Sequence, residues 1–483
     1  MSSLYTASAS SHSRAGIWLL AAIAIAACNS DEQVSGIDRG GAPVASAVIT
    51  TGSVTSFGSV VVNGVRYDTS DAEFIIDSVP GSEADLEIGQ VITVRGEIDA
   101  NDARTAVRVE FDDQLVGQAM NIDSSAGRLE VLGQIVRIDG GTSFDKEFSP
   151  RSLEGISSGD VIAISGFLDA DGLTVATRIG PDDGNAVARV HGHVSDADTG
   201  AMTFRINALT VDYSAAMIEN FPGGEPANGD FVEVEGSEIS SAELAADRVS
   251  LESRNLRDDD DDDLVGEIEG YITRFNSPAD FDVDGQPVVT DAQTLFELGV
   301  AVDLALNVKV QAFGSVDAAN VLRADVIRFE PPGILAIAAQ VEEVNVAAGT
   351  ITLLGILVRV DELTRLEDQS DDDERIFDLS DMNVGDWLEV HGFEDPVGSN
   401  TVSATLLERE DDGDDVELTG FVQSVADPEF SILGVTILTT DVTEFDDISR
   451  AEFFSDAVGR LVEVEGQLSG QILVAEEIEL EDD

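Results

Sequence analysis

Along most of the chain, apolar and polar residues alternate in short runs separated by turns rich in Gly, Asn and Asp. Period two is the mark of a strand with one face buried. One such run recurs as an eight-residue block with Gly at both ends: GQVITVRG (89–96), GDVIAISG (159–166), GDFVEVEG (229–236), GDWLEVHG (385–392) and GRLVEVEG (459–466). In a sixth copy, NVKVQAFG (307–314), Asn307 replaces the first Gly. Asn is the other residue that tolerates positive φ, so the exchange preserves a turn. Positive φ is expected at the closing Gly as well, Gly96 in the first block. Block starts lie 70, 70, 78, 78 and 74 residues apart, which makes the chain a tandem array.

Two further columns follow each block. A small residue occurs at Ala106, Ala176, Ala246, Ala324, Ala404 and Ala475, and three positions on stands Val109, Ile179, Val249, Ile327, Leu407 or Ile478. These columns predict a last strand whose small side chain lies where the interior is crowded. Upstream, a strand opens each copy, as at Gly52-Ser53-Val54, Gly117-Gln118-Ala119, Gly192-His193-Val194 or Gly420-Phe421-Val422. A hairpin follows at Asn63-Gly64, Gly133, Asp284-Gly285, Gly355 or Gly434, with Ala208 in the third copy. A short helical or 3₁₀ turn is expected before each Gly-bounded strand, at Leu86 to Gly89 in the first. The fold class is therefore all-β: six small antiparallel barrels of the OB or SH3-like kind, at 47–112, 114–182, 186–253, 264–330, 335–411 and 416–481. Closure is the simplest way for six short strands to hide their edges. Units this small are marginal alone, which predicts packing between neighbours.

The run Ser56-Phe57-Gly58-Ser59-Val60-Val61-Val62-Asn63-Gly64, with Asp85-Leu86-Glu87-Ile88-Gly89-Gln90 and Val94-Arg95-Gly96, resembles bacterial lipoproteins and secreted proteins built from repeats of a domain of unknown function. The resemblance covers residues 47–481, most closely in the first copy. It implies export and a small β-barrel, and it implies no activity.

Charge changes the picture most. Against 26 Lys+Arg stand 95 Asp+Glu, a net charge of −69, and the only lysines are Lys146 and Lys309. Such a surface repels phosphate backbones and favours cations and basic partners. With 6% aromatics and no basic groove, nucleic-acid binding is excluded as a reading.

The single cysteine, Cys28, ends the apolar run Ile17 to Ala27, which is too short to span a bilayer but suits a signal peptide. Ile25-Ala26-Ala27-Cys28 resembles the lipobox of bacterial lipoproteins, which implies acylation of Cys28, and Asn29 behind it implies outer-membrane sorting. Residues 1–27 are then a leader and 28–46 a flexible tether.

The joints between copies are acidic: Asp112 and Asp113; Asp182 and Asp183; Asp258, Asp259, Asp260, Asp261, Asp262 and Asp263; Asp411, Asp412, Asp414 and Asp415. The fourth joint, Glu330-Pro331-Pro332-Gly333, is stiff instead. Ca²⁺ takes six to eight hard oxygens, so the acidic joints are its candidate sites. The alternative is a solvated linker extended by like charge, favoured because no calcium-loop spacing occurs. The same pair of readings applies to Asp371-Asp372-Asp373-Glu374. His191 and His193 share one face of a strand without a third ligand in view, and read as an exposed pair.

No catalytic residue, nucleotide loop or redox pair is identified, and no resident cofactor is expected beyond Ca²⁺. The leading expectation is a non-enzymatic envelope lipoprotein, held at the membrane through Cys28, whose modules form a rod or compact array and bind a protein or polysaccharide. A structural spacer is the runner-up, and an extracellular glycan-acting enzyme comes third.

Overall fold

The computed structural model describes residues 46–481, except 183–186, 253–255, 258–263, 412, 414 and 447. Cys28, Asp183, Asp258, Asp259, Asp260, Asp261, Asp262, Asp263, Asp412 and Asp414 lie outside the described residues.

The first module runs through β1 (Ser46–Ser56), β2 (Val60–Val62), β3 (Val65–Asp68), β4 (Glu73–Ile76), β5 (Val79–Gly81), β6 (Val91–Ile98) and β7 (Arg104–Phe111), with a 3₁₀ turn at Glu83–Asp85. β1 pairs antiparallel with β2 and with β6, β2 with β3, and β6 with β7. β3 and β4 both run parallel to β7. The ring β1-β2-β3-β7-β6 thus closes on itself, with one parallel seam that strand alternation alone does not predict. A five-stranded Greek-key barrel of this order is the OB arrangement. The same circuit recurs in modules 2 to 6, at 115–181, 188–251, 264–329, 335–410 and 416–480, so the chain is all-β with six small barrels. In the third, the opening strand is split at Val194. In the sixth, an α-helix (Arg450–Asp456) replaces the 3₁₀ turn.

The glycine columns have two different causes. At every block opening φ is positive, from 65° at Asn307 to 98° at Gly159 and Gly385. The closing glycines, Gly96 included, are absent from that group of backbones, so the expectation of positive φ there is corrected. What excludes a side chain is crowding: a Cβ on any of the six would lie 2.0 to 2.3 Å from a carbonyl oxygen of the last strand. Each closing Gly faces the alanine of its own module, as in Gly96↔Ala106 and Gly466↔Ala475, and a β-bulge interrupts the ladder there. The bulge inserts one residue into the last strand, which explains why each Ala and the apolar residue of the next column, such as Val109 after Ala106, are three apart and not two. In five of the six modules the hairpin turns on two residues of positive φ, such as Asn63-Gly64 and Leu433-Gly434, which is a type I′ turn, while in the third only Asn207 of Asn207-Ala208 has positive φ.

The barrels associate in pairs that do not all follow chain order. Module 1 joins module 4, through a parallel ladder from Ala47↔Leu264 to Thr51↔Ile268. Modules 2 and 3 join at Leu115↔Val190 and Val116↔Arg189, and modules 5 and 6 from Ala336↔Thr419 to Ala338↔Glu417. Each of the last two pairs has one continuous apolar core. The pairs are also tied to one another. Arg178 of module 2 meets Glu87 of module 1 at 2.6 Å and Glu367 of module 5 at 3.0 Å. Arg151 of module 2 meets Glu410 of module 5 at 2.7 Å. Phe167 and Val175 pack with Tyr271 of module 4 and Val91 of module 1. Barrels far apart in the sequence are therefore in contact.

Candidate functional site

On the opening strand of module 4, Glu267 and Glu269 are two apart and share the face turned toward β1. Each meets one cation there. Glu267 takes Arg104 at 3.0 Å and a 3.4 Å hydrogen bond from Thr50, whose hydroxyl lies 2.6 Å from that of Tyr67. Glu269, only 2% exposed, accepts the Ser53 N–H at 2.7 Å, the Ser53 hydroxyl at 2.9 Å and the Lys309 ammonium at 2.5 Å. Lys309 also lies 2.9 Å from Glu330 and 5.0 Å from the ring centre of Phe167. Burial alone would push the Glu269 carboxyl up, but Lys309 and the Ser53 donors bring it below the ordinary range. Glu330 is pushed up, by burial first and then by the charge of Glu269. Lys309 is opposed by burial, yet its two glutamates hold it more firmly charged than a free lysine.

This trio lies at the wall of a cavity of about 900 Å³ to which modules 1, 2, 4 and 5 all contribute. The joint Pro331-Pro332-Gly333 lines it too, and Gly333 packs so tightly on Gly140 that a Cβ on the latter would lie 2.1 Å from the Gly333 oxygen. Two bulges face it. The inserted residues are Thr177 in module 2 and Thr405 in module 5, next to Ala176 and Ala404. At Thr177 the carbonyl turns outward and accepts Arg365 Nη1 at 3.0 Å. Arg137, also in the wall, lies 5.9 Å from the Tyr271 ring centre.

A third repeated column ties the last strand at its alanine in four of the barrels. Thr142, Thr294, Thr364 and Thr443 donate to the carbonyls of Ala176, Ala324, Ala404 and Ala475 at 2.7 to 3.0 Å. The residue three before each threonine returns its own N–H to the hydroxyl, as Asp361 does at 3.0 Å. The recurring Asp-x-x-Thr (Thr440 in the sixth copy) is the signal that locates it in the sequence.

The acidic joints are placed elsewhere. Asp112, Asp113 and Asp182 gather near Asp77 and Arg189, where the Asp113 N–H lies 3.4 Å from Asp77 and Arg189 pairs with Asp77 and, at 2.8 Å, with Glu235. Burial pushes Asp112 up to about 6, against the pull of Arg189. Asp113 rises to about 8, through burial and the charge of Asp77. The cation at this joint is thus a guanidinium of the chain itself. Asp411 accepts the Asp371 N–H at 3.1 Å and shares a second hollow, of about 540 Å³, with Asp371, Asp372 and Asp386. Asp415 accepts Gln467 at 2.6 Å. Among the described residues, no three His, Cys, Asp or Glu side chains group as a metal site. His193 is exposed, His191 is half-buried, and both rings lie against Phe231.

The sequence reading singled out the Glu330-Pro-Pro-Gly joint but missed the cavity it lines. No curated protein matches the chain. A solved structure, "drosophila Unr CSD456", is 16% identical over 46% of this chain and 98% of its own, with a TM-score of 0.12, too loose a likeness to bear on the fold. The profile described as "Domain of unknown function (DUF5666)" matches residues 48–110, 117–180, 191–250, 269–328, 339–408 and 419–479. The chain belongs to that family, as six tandem copies of its domain.

Proposed function

We propose that this chain is an exported, lipid-anchored binding protein in which four modules jointly hold one small polar ligand. The observation that carries the reading is the cavity of about 900 Å³ between modules 1, 2, 4 and 5. Small-molecule sites are concave, roughly 300–1,000 Å³, and lie between units, with apolar walls and a few placed polar groups. Phe167, Tyr271 and Phe393 supply apolar wall here, and Lys309, Arg365 and the two bulge threonines the polar groups. The apolar run before Cys28 supports the anchor.

The test isolates the full chain from membranes, denatures it, and identifies released small molecules by mass spectrometry. One compound near one per chain is expected, and it disappears in Ser403→Phe, which fills the cavity. Cys28→Ala leaves the membrane fraction while keeping the compound. A wild-type cavity that releases nothing, and whose melting no millimolar metabolite panel shifts, overturns the binding reading. A Cys28→Ala protein still at the membrane overturns the anchor.

A further inference from the structure

We propose that the ligand of this cavity carries a carboxylate, received by the guanidinium of Arg365 with Arg137 as a second cation. The proposal rests on the binding reading above and names the chemistry of its ligand. With 95 acids to 26 bases, this chain has carboxylates to spare for every cation. The other cations in the cavity wall use them. Lys309 takes Glu269 and Glu330, Arg328 takes Glu297 at 2.7 Å, and Arg359 takes Asp395 at 3.6 Å. Arg365 is only 7% exposed, yet its one hydrogen bond among the described residues is that from Nη1 to the Thr177 carbonyl. Neither Arg365 nor Arg137 has a described carboxylate within 4.0 Å, the reach within which the ion pairs above fall.

Glu269 and Glu330 feel the charge of Arg365 only from beyond direct contact, so the Nη2 of this buried side chain has no hydrogen-bond acceptor among the described residues, a cost that a bound anion reaching it removes. Glycine keeps the place clear: a Cβ on Gly141 would lie 2.9 Å from Arg365 Nη2. The planar fork presents parallel N–H donors that match the two oxygens of a carboxylate. A dianionic phosphoryl group fits the site less well, because Asp139, Glu269, Glu330 and Asp361 line the same walls. The aromatic wall suits a monoanion with a carbon skeleton, such as a uronic acid.

The experiment titrates the full chain, stripped of small molecules by unfolding and refolding, with acetate, succinate, citrate and glucuronate. Glucose, choline and inorganic phosphate serve as comparators at constant ionic strength, with calorimetry and melting as readouts. At least one carboxylate is expected to bind saturably at millimolar concentration or below, while glucose and choline do not. Arg365→Gln weakens that carboxylate at least tenfold, Arg365→Lys restores only part of the loss, and Arg137→Gln weakens it less. Each variant is compared at its own melting temperature, so that misfolding shows separately. Saturable binding of glucose or choline with none of any carboxylate overturns the proposal but leaves the binding reading standing. Phosphate binding tighter than every carboxylate, unchanged carboxylate binding in folded Arg365→Gln, or no saturable response to any carboxylate also overturns it. Only an absence of all binding, with nothing released from the native protein, takes the binding reading down as well.

Discussion

At the scale of single residues, the two glycines of a block look equivalent in the sequence and do different work. Gly459 has φ 85° and open space around it, so only backbone conformation excludes a side chain. Gly466 faces Ala475 across a bulge, and a Cβ there would lie 2.1 Å from the Val474 carbonyl oxygen. Gly459→Ala is therefore expected to cost roughly 1–2 kcal/mol of left-handed strain, and Gly459→Asn less, because Asn307 already fills the equivalent position. Gly466→Ala is expected to cost ~1–3 kcal/mol as an overpacked site, with Asn worse still. Urea midpoints of the four proteins check this. Relief of Gly466→Ala by the Asn exchange would mean that conformation, and not crowding, selects the glycine.

At the scale of elements, the opening strand decides which barrels stand together. It carries the circuit of its own barrel on one side and offers part of its edge to another module, and exposed edges are a liability unless covered. Modules 5 and 6 cover each other and share one core, so residues 335–481 are expected to unfold in a single cooperative transition by circular dichroism. Residues 46–112 alone lack the parallel partner Leu264–Ile268 and the carboxylates opposite Ser53 and Arg104. Their melting temperature is expected to fall well below that of the 335–481 fragment and to rise when residues 264–330 are added. Equal melting of the two fragments would show the inter-barrel ladder to be dispensable. The short blocks were legible as strands because period two is local. Their bulges were also legible, in the three-residue step from Ala176 to Ile179, once that step is set against period two.

At the scale of the whole molecule, the packing of barrels forces acids together and leaves many of them protonated near neutrality. Burial is the first cause in each case. It raises Glu233, Glu410, Glu417 and Glu463 to about 7 and Asp113 to about 8, with neighbouring acids adding to it. An unfolded chain ionises these groups near pH 4, so it sheds protons before the folded chain does, and stability falls as pH rises from about 4 toward 8. Glu235 and Asp368, held down to about 2 by arginine hydrogen bonds against the effect of burial, act the other way. Their stabilisation is present above pH 4 and fades as pH drops toward 2. The melting temperature is expected to peak in mild acid and decline through neutrality at constant ionic strength. Glu463→Gln flattens part of that decline, and a melting temperature that climbs from pH 5 to 8 would contradict the account.

The sequence by itself determined the repeat, the all-β class, the places of the hairpins and the positive φ at Asn307, because each depends on residues close in the chain. It also exposed the small-residue column, though not that Gly96 meets Ala106 so closely. Only the tertiary structure decided that module 1 stands beside module 4, that Lys309 lies between Glu269 and Glu330, and that Arg365 points into a shared cavity. Strand edges of repeats that share one pattern are interchangeable to any local rule. What selects one pairing is the fit of a few buried charges and glycine-cleared contacts, contributed by segments as much as four modules apart.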